Sequence, residues 1–256
     1  MTGTQSAKEP VLPLAGRNDS VSLPRRALAE AVGTALLVTV VVGSGIMAAR
    51  LSPDDVGMQL LENSTATAFG LAALILMFGS VSGAHFNPVV TAVDCLLQGR
   101  PLRDAAVYVP AQVLGAIGGA VLANLMFDLP ALTASERDRS QPHLWLGETV
   151  ATLGLVLLIF ALVRTERAAL AAAPAVGAYI GAAYWFTSST SFANPAVTVG
   201  RAFSDTFAGI APSSVPGFVA AQLLGAAIGA ALIVAFYPLP ATGEATSPAA
   251  DGRTGR

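Results

Sequence analysis

The sequence predicts an all-α membrane protein of six transmembrane helices and two re-entrant half-helices, arranged as an inverted repeat. Three observations predict it. The 256-residue chain is 54% hydrophobic and only 12% charged, about half the charged share of an ordinary soluble domain. Long uncharged runs separate Glu30 from Arg50, Glu62 from Asp94, Asp104 from Asp128, Arg167 from Arg201 and Asp205 from Glu244; these are the lengths of bilayer spans, which need ~20 apolar residues. Finally, three short signals occur twice in the same order.

Taken in chain order, residues 1–26 are polar, carry prolines at 10, 13 and 24, and lack the apolar core and cleavage site of a signal peptide. They are expected to form a disordered tail, leaving the first span uncleaved. Spans are predicted at 27–49, 58–79, 104–127, 145–163, 169–188 and 215–237. The fourth reaches membrane length only by carrying Glu148 into the bilayer. A second disordered tail is expected at 238–256. Long continuous apolar runs argue against the ten-residue alternating segments of a membrane barrel. Gly and Ala are frequent in the spans, as at Gly115, Gly118, Gly119, Gly225 and Gly229, where small residues let helices approach closely in lipid.

The repeats are Glu30-Ala-Val-Gly-Thr34 with Glu148-Thr-Val-Ala-Thr152, Asn87-Pro-Val with Asn194-Pro-Ala, and Gln112-Val-Leu-Gly-Ala with Gln222-Leu-Leu-Gly-Ala. Each copy holds three spans, an odd number, so the second copy must be inverted. The first repeat is assigned to 27–129, a connecting loop to 130–142 and the second repeat to 143–237. Inverted repeats place a pathway at their interface near the bilayer midplane. With both termini cytoplasmic, only Arg50, Arg137, Arg139 and Arg201 of the 14 Lys and Arg residues fall outside, as the positive-inside rule requires.

Several function classes are excluded. A net charge of −2 without a basic block leaves no footprint for nucleic acid. The single cysteine, Cys95, and two histidines, His85 and His143, offer no metal cluster, and no cofactor is expected. Gly43-Ser44-Gly45 invites an intramembrane protease reading, but it lacks the GxSG pattern, and its base would have to be His85 on another segment. No enzyme is expected.

Asn87-Pro88 and Asn194-Pro195 each open a short apolar segment, the first running to Leu97 and the second to about Phe207. Asn is a preferred helix N-cap, and Pro fits the first helical position. Segments of this length cannot cross a ~30 Å core, so they read as re-entrant half-helices buried in protein. Inversion brings their N-termini together at the midplane. Two positive helix ends and two amide side chains then face one spot, able to hold a neutral hydrogen-bonding solute and to oppose cations and protons.

Ser82-Gly-Ala-His-Phe-Asn-Pro-Val-Val-Thr91 and Ser191-Phe-Ala-Asn-Pro-Ala196 resemble the paired signatures of the aquaporin, or major intrinsic protein, family. The likeness covers about residues 27–237. It implies a homotetramer in a plasma membrane, each subunit a passive channel for water or small uncharged solutes. It also implies a central constriction made by Asn87, Pro88, Val89, Asn194, Pro195 and Ala196.

Two positions depart from the family pattern. Val89 stands where Ala is usual. Val197 stands where most relatives carry the arginine of the outer selectivity filter, which implies a wider, more apolar filter. A minority of bacterial relatives share this loss and some are linked to arsenic resistance, so an arsenite-like neutral hydroxide joins glycerol-like solutes as a candidate. Arg201, one turn further on, could substitute, but is expected to face the outer vestibule or lipid headgroups. The other filter positions are expected at Thr67 or Phe69, at Ala182, and at Ser191 or Phe192.

Glu30 and Glu148 lie inside spans, where a carboxylate is a functional candidate by default. They read as braces accepting hydrogen bonds from the re-entrant loops, against a rival reading as proton relays. His85 is expected at the cytoplasmic approach to the pore, with gating by pH a secondary reading. Asp94 is expected near the cytoplasmic end, and Cys95 to be an inert packing residue. The rival function is a proton-coupled secondary transporter, or a weak-acid channel, on a similar inverted-repeat scaffold.

Overall fold

A computed structural model describes residues 21–238; apart from 21–26 and 238, the two expected tails lie outside the described residues. The elements are α1 (Leu23–Leu51), α2 (Val56–Ser82), α3 (Pro88–Gln98), α4 (Leu102–Met126), α5 (Pro142–Arg164), α6 (Ala168–Phe186), α7 (Pro195–Arg201) and α8 (Val215–Phe236), with a 3-10 turn at Pro212–Ser214 before α8. Six of these helices are long and apolar enough to cross a membrane. The other two, α3 and α7, are the half-helices. No strand occurs among the described residues.

The first helix starts four residues before its expected boundary, because Pro24 occupies its first turn, where a missing N–H costs nothing. The second half-helix is shorter than expected. It stops at Arg201 and the chain folds back, with Phe203 N donating to Gly200 O at 3.1 Å and the Ser204 hydroxyl to Asn124 Oδ1 at 2.7 Å.

The inverted repeat is visible in how helices pair. In each half the first helix packs along the last, α1 on α4 and α5 on α8. Glycine permits both contacts. A Cβ at Gly115 or Gly119 would collide with the carbonyl oxygen of Ala31 or Ala35, and a Cβ at Gly225 with that of Thr149. The halves meet where α2 packs on α6, α7 on α4 and α1, and α3 on α8. Each half-helix therefore leans on the other repeat as well as its own.

Candidate functional site

Each half-helix opens as its sequence dictates. Asn87 and Asn194 are extended, with φ of −152° and −159°, and a proline follows each at the first helical position. Asn87 Oδ1 accepts from Val89 N at 3.1 Å, and Asn194 Oδ1 accepts from Ala196 N at 2.9 Å and Val197 N at 3.2 Å. The amide nitrogens reach across the repeat axis. Asn87 Nδ2 donates to Ala193 O at 2.8 Å, and Asn194 Nδ2 donates to Phe86 O at 2.7 Å. An amide nitrogen carries two hydrogens, so each asparagine keeps one donor beyond this lock.

The loops before the caps carry matching strain. Ala84 and Phe86 have φ of 49° and 50°, and their repeat equivalents Ser191 and Ala193 have 47° and 48°. Left-handed backbone at a non-glycine residue costs about 1–3 kcal/mol and persists only where its surroundings enforce it. Two buried carboxylates enforce it. Glu30 accepts from His85 N at 3.0 Å, Phe86 N at 2.7 Å, the Ser82 hydroxyl at 2.6 Å and Gln112 Nε2 at 2.7 Å. Glu148 accepts from Phe192 N and Ala193 N, both at 2.8 Å, and Gln222 Nε2 at 2.6 Å. The three duplicated motifs thus meet in one assembly: Glu, loop and Gln, once per repeat.

A cavity of about 110 Å³ runs between the half-helices. Neither Glu30 nor Glu148 lies in its wall; Asn87 and Asn194 both do. From each asparagine the wall continues along one helical face, through Val90 and Asp94 on α3 and through Val197 and Arg201 on α7. These are the third and seventh residues after the asparagine, which share a face at 3.6 residues per turn. The long helices contribute an apolar wall from Leu37, Leu71, Ile75, Leu155, Ile159 and Val176, with Thr67 and Tyr184 as its hydroxyl groups; the two oxygens lie 3.2 Å apart.

Several expected positions are corrected. Phe69 is 73% exposed on the outer surface and Ala182 is exposed as well. Each is two residues, about 200°, from the lining residues of its own helix: Thr67 and Leu71 on α2, Ile180 and Tyr184 on α6. Of the open pairs, Thr67 lines the cavity, and Ser191 and Phe192 both do. Pro88, Val89, Pro195 and Ala196 do not border it. Val89 instead packs in a cluster with Val93, Val156, Phe160 and Ile233, so its departure from the pattern acts behind the wall. Ser44, the rival nucleophile, donates to Val40 O at 2.6 Å and accepts from Asn63 Nδ2 at 2.8 Å.

Arg201 needs the largest correction. It does not face headgroups: it is 2% exposed and borders the cavity. Its Nε–H donates to Ala208 O, and its guanidinium lies 3.3 Å from the centroid of the Phe192 ring. Arg139 flanks the same ring at 5.0 Å and donates to Gly209 O at 3.0 Å and Ser189 O at 3.2 Å. Burial, with repulsion from Arg137 added, lowers the Arg139 guanidinium to about 10, which leaves it charged at neutral pH. The sequence offered Arg201 as a substitute for the filter arginine only as the lesser alternative, and the position of Arg139 and the lumen position of Tyr184 escape it. The signal was the repeat register, since Arg201 stands at the same distance from Asn194 as Asp94 from Asn87.

At the other end His85 borders the cavity, with Nδ1 3.0 Å from the Thr91 hydroxyl and Nε2 3.6 Å from Asp94 Oδ2. Asp94 is ion-paired with Arg100, and Arg26 with Asp104 at 2.7 Å. Cys95 is half-buried and unpaired. No cluster of three or more potential metal ligands occurs among the described residues.

Six spans, two capped half-helices and a lumen between them define a multi-pass membrane protein with a channel architecture. The model of the major intrinsic protein family matches residues 17–191. The chain is 54% identical over 211 residues to aquaglyceroporin AqpS of Rhizobium meliloti (strain 1021), covering 82% of this chain and 89% of that protein. It is 30% identical over 247 residues to aquaporin AqpM of Methanothermobacter thermautotrophicus, covering 85% and 97%. The X-ray structure of the aquaglyceroporin from Plasmodium falciparum superposes with a TM-score of 0.65 over 83% of this chain and 96% of that one, at 21% identity, a likeness of fold. The chain belongs to the major intrinsic protein family and is a channel for water and small solutes.

Proposed function

We propose that the protein passes water and small uncharged solutes passively through the lumen between α3 and α7. The observation that carries this reading is the pair of crossed asparagines. Each is fixed by its own cap and by the opposite loop, yet both border the cavity, so each can offer its remaining N–H to a passing oxygen. Such a site holds a neutral acceptor and gives nothing to a cation. Val197 in the wall supplies methyl groups and no donor, which favours solutes wider than water. A glycerol-like polyol and an arsenite-like hydroxide both fit that description, and the aquaglyceroporin relative supports the first. We take Thr67, Tyr184, Ser191, Phe192 and Val197 as the filter, with His85 and Asp94 at the approach from the cytoplasm.

The rival transporter reading needs a titrating carboxylate in the pathway. Glu30 and Glu148 instead have both oxygens engaged by backbone and amide donors, which suits bracing. The charge pattern supports cytoplasmic termini and a plasma-membrane location, and family membership supports a homotetramer. Stopped-flow light scattering on proteoliposomes, comparing water, glycerol and arsenite, tests the assignment. Flux of at least one solute above protein-free vesicles is expected; none for any of the three would refute it.

A further inference from the structure

We propose that Arg201 is the charge filter of this pore, a fixed guanidinium in the lumen wall that separates neutral solutes from cations of the same shape. The inference rests on the channel reading above and assigns one of its properties to one residue.

Three observations carry it. Arg201 is 2% exposed, and no ion pair involves it among the described residues. A buried charge without a counter-ion is costly unless its hydrogen bonds are met. Secondly, a guanidinium has five N–H donors, and only Nε–H has a protein acceptor, Ala208 O. The terminal nitrogens are left to whatever fills the cavity that Arg201 borders. Thirdly, the plane is held. The Phe192 ring stacks at 3.3 Å, a cation–π contact that fixes orientation without neutralising charge.

Position follows from the helix. Arg201 lies one turn after Val197 and two after Asn194, on the face that lines the lumen. Helical side chains lean toward the N-terminus, so the guanidinium reaches back from the end of α7 toward the constriction. Its repeat mate Asp94 makes the contrast. That carboxylate also borders the cavity but is ion-paired with Arg100. Of this pair only Arg201 stands outside a salt bridge, and its charge is positive; Glu148 acts on it from beyond ion-pair distance and Arg139 adds a like charge. Low screening in a narrow passage with largely apolar walls makes such a charge effective against cations.

Urea and guanidinium test the proposal, being nearly the same shape and differing in charge. Fluxes are measured in proteoliposomes for the wild type, Arg201→Gln and Arg201→Lys. In the wild type urea should pass and guanidinium be excluded. Arg201→Gln should lower the urea-to-guanidinium flux ratio by roughly tenfold or more, as removal of a poorly screened charge implies. Arg201→Lys keeps the charge and should hold that ratio near wild type. Losing the planar fork, it should lower urea flux relative to water.

An Arg201→Gln channel as selective as wild type overturns the proposal. If that variant does not fold, Arg201→Lys decides: a ratio fallen as far as an uncharged wall predicts, or wild-type behaviour in both measurements, overturns it. A wild type that passes neither water nor urea refutes the channel reading itself, and is distinguishable because it does not depend on residue 201.

Discussion

The two re-entrant segments are one device built twice, and they differ at their far ends. Both start from an asparagine that caps its own helix and crosses to the opposite loop. Both follow a loop with left-handed residues two and four positions before the proline, pinned by a buried glutamate and a glutamine. At the seventh residue after the asparagine the symmetry ends. One segment presents Asp94, paired with Arg100; the other presents Arg201, stacked on Phe192 and in no salt bridge among the described residues. The shared parts fix geometry, and they repeat because both loops solve the same backbone problem. The shared asparagines face the solute from both halves, and the charge discrimination proposed above lies where the halves differ.

Removing a shared part should have the largest effect. Glu148→Ala strips the acceptor from Phe192 N, Ala193 N and Gln222 Nε2. Buried donors without partners cost about 1–3 kcal/mol each, so folded yield and detergent thermal stability should fall severely. Glu148→Gln keeps one oxygen and should reduce yield or flux only moderately. Glu30→Ala should behave as Glu148→Ala does. If one glutamate tolerates alanine while the other does not, the two loops are not equivalent devices.

Asn194→Asp comes next. It leaves the cap acceptor in place, removes the donor to Phe86 O, and puts a carboxylate at the lumen. Proton and cation leak should rise while water flux persists. Retention of wild-type tightness in a fluorescent pH assay would remove Asn194 from the central barrier.

Val197→Arg changes the lumen face directly, at a position where both half-helices present valine, Val90 on α3 and Val197 on α7. It adds a second cation and a donor fork one turn from Arg201, narrowing the wall. Arsenite flux should fall by roughly tenfold and water flux much less, since the fork excludes bulk before it excludes water. Equal loss of both, at equal protein density, would mean that Val197 does not set the width. The smallest effect belongs to Phe69→Ala. Its side chain lies outside the lumen, so all fluxes should stay within about twofold of wild type, the usual range for a surface change.

These expectations also mark what the amino-acid sequence discloses. Six spans, the half-helices and the inversion were legible, because hydropathy, Asn-Pro caps and the Glu and Gln motifs are local signals. Which face of α2 and α6 meets the lumen was not. The lipid-facing and lumen-facing sides of these helices are both apolar, so periodicity carries no sign: the choice between Thr67 and Phe69 stayed open, and Ala182 was placed two residues from the lining positions. Arg201 was placed at the outer vestibule or the lipid headgroups, with the filter as the lesser alternative, and a charge near a membrane does normally seek water. Its burial depends on a ring from the loop before α7 and a carbonyl from the loop after it, contacts that only the folded chain provides. The length of α7 was misjudged for a similar reason, since the fold-back after Arg201 is anchored by Asn124 of the other repeat.

Passive passage of neutral solutes through a proton-tight lumen is open to direct measurement. Its most direct test is glycerol uptake into proteoliposomes with a pH gradient imposed in either direction. The account predicts that glycerol equilibrates at the same rate under both gradients, never exceeds its outside concentration, and leaves the gradient decaying as in protein-free vesicles. Accumulation of glycerol in the direction of proton flow, with faster collapse of the gradient, would contradict it.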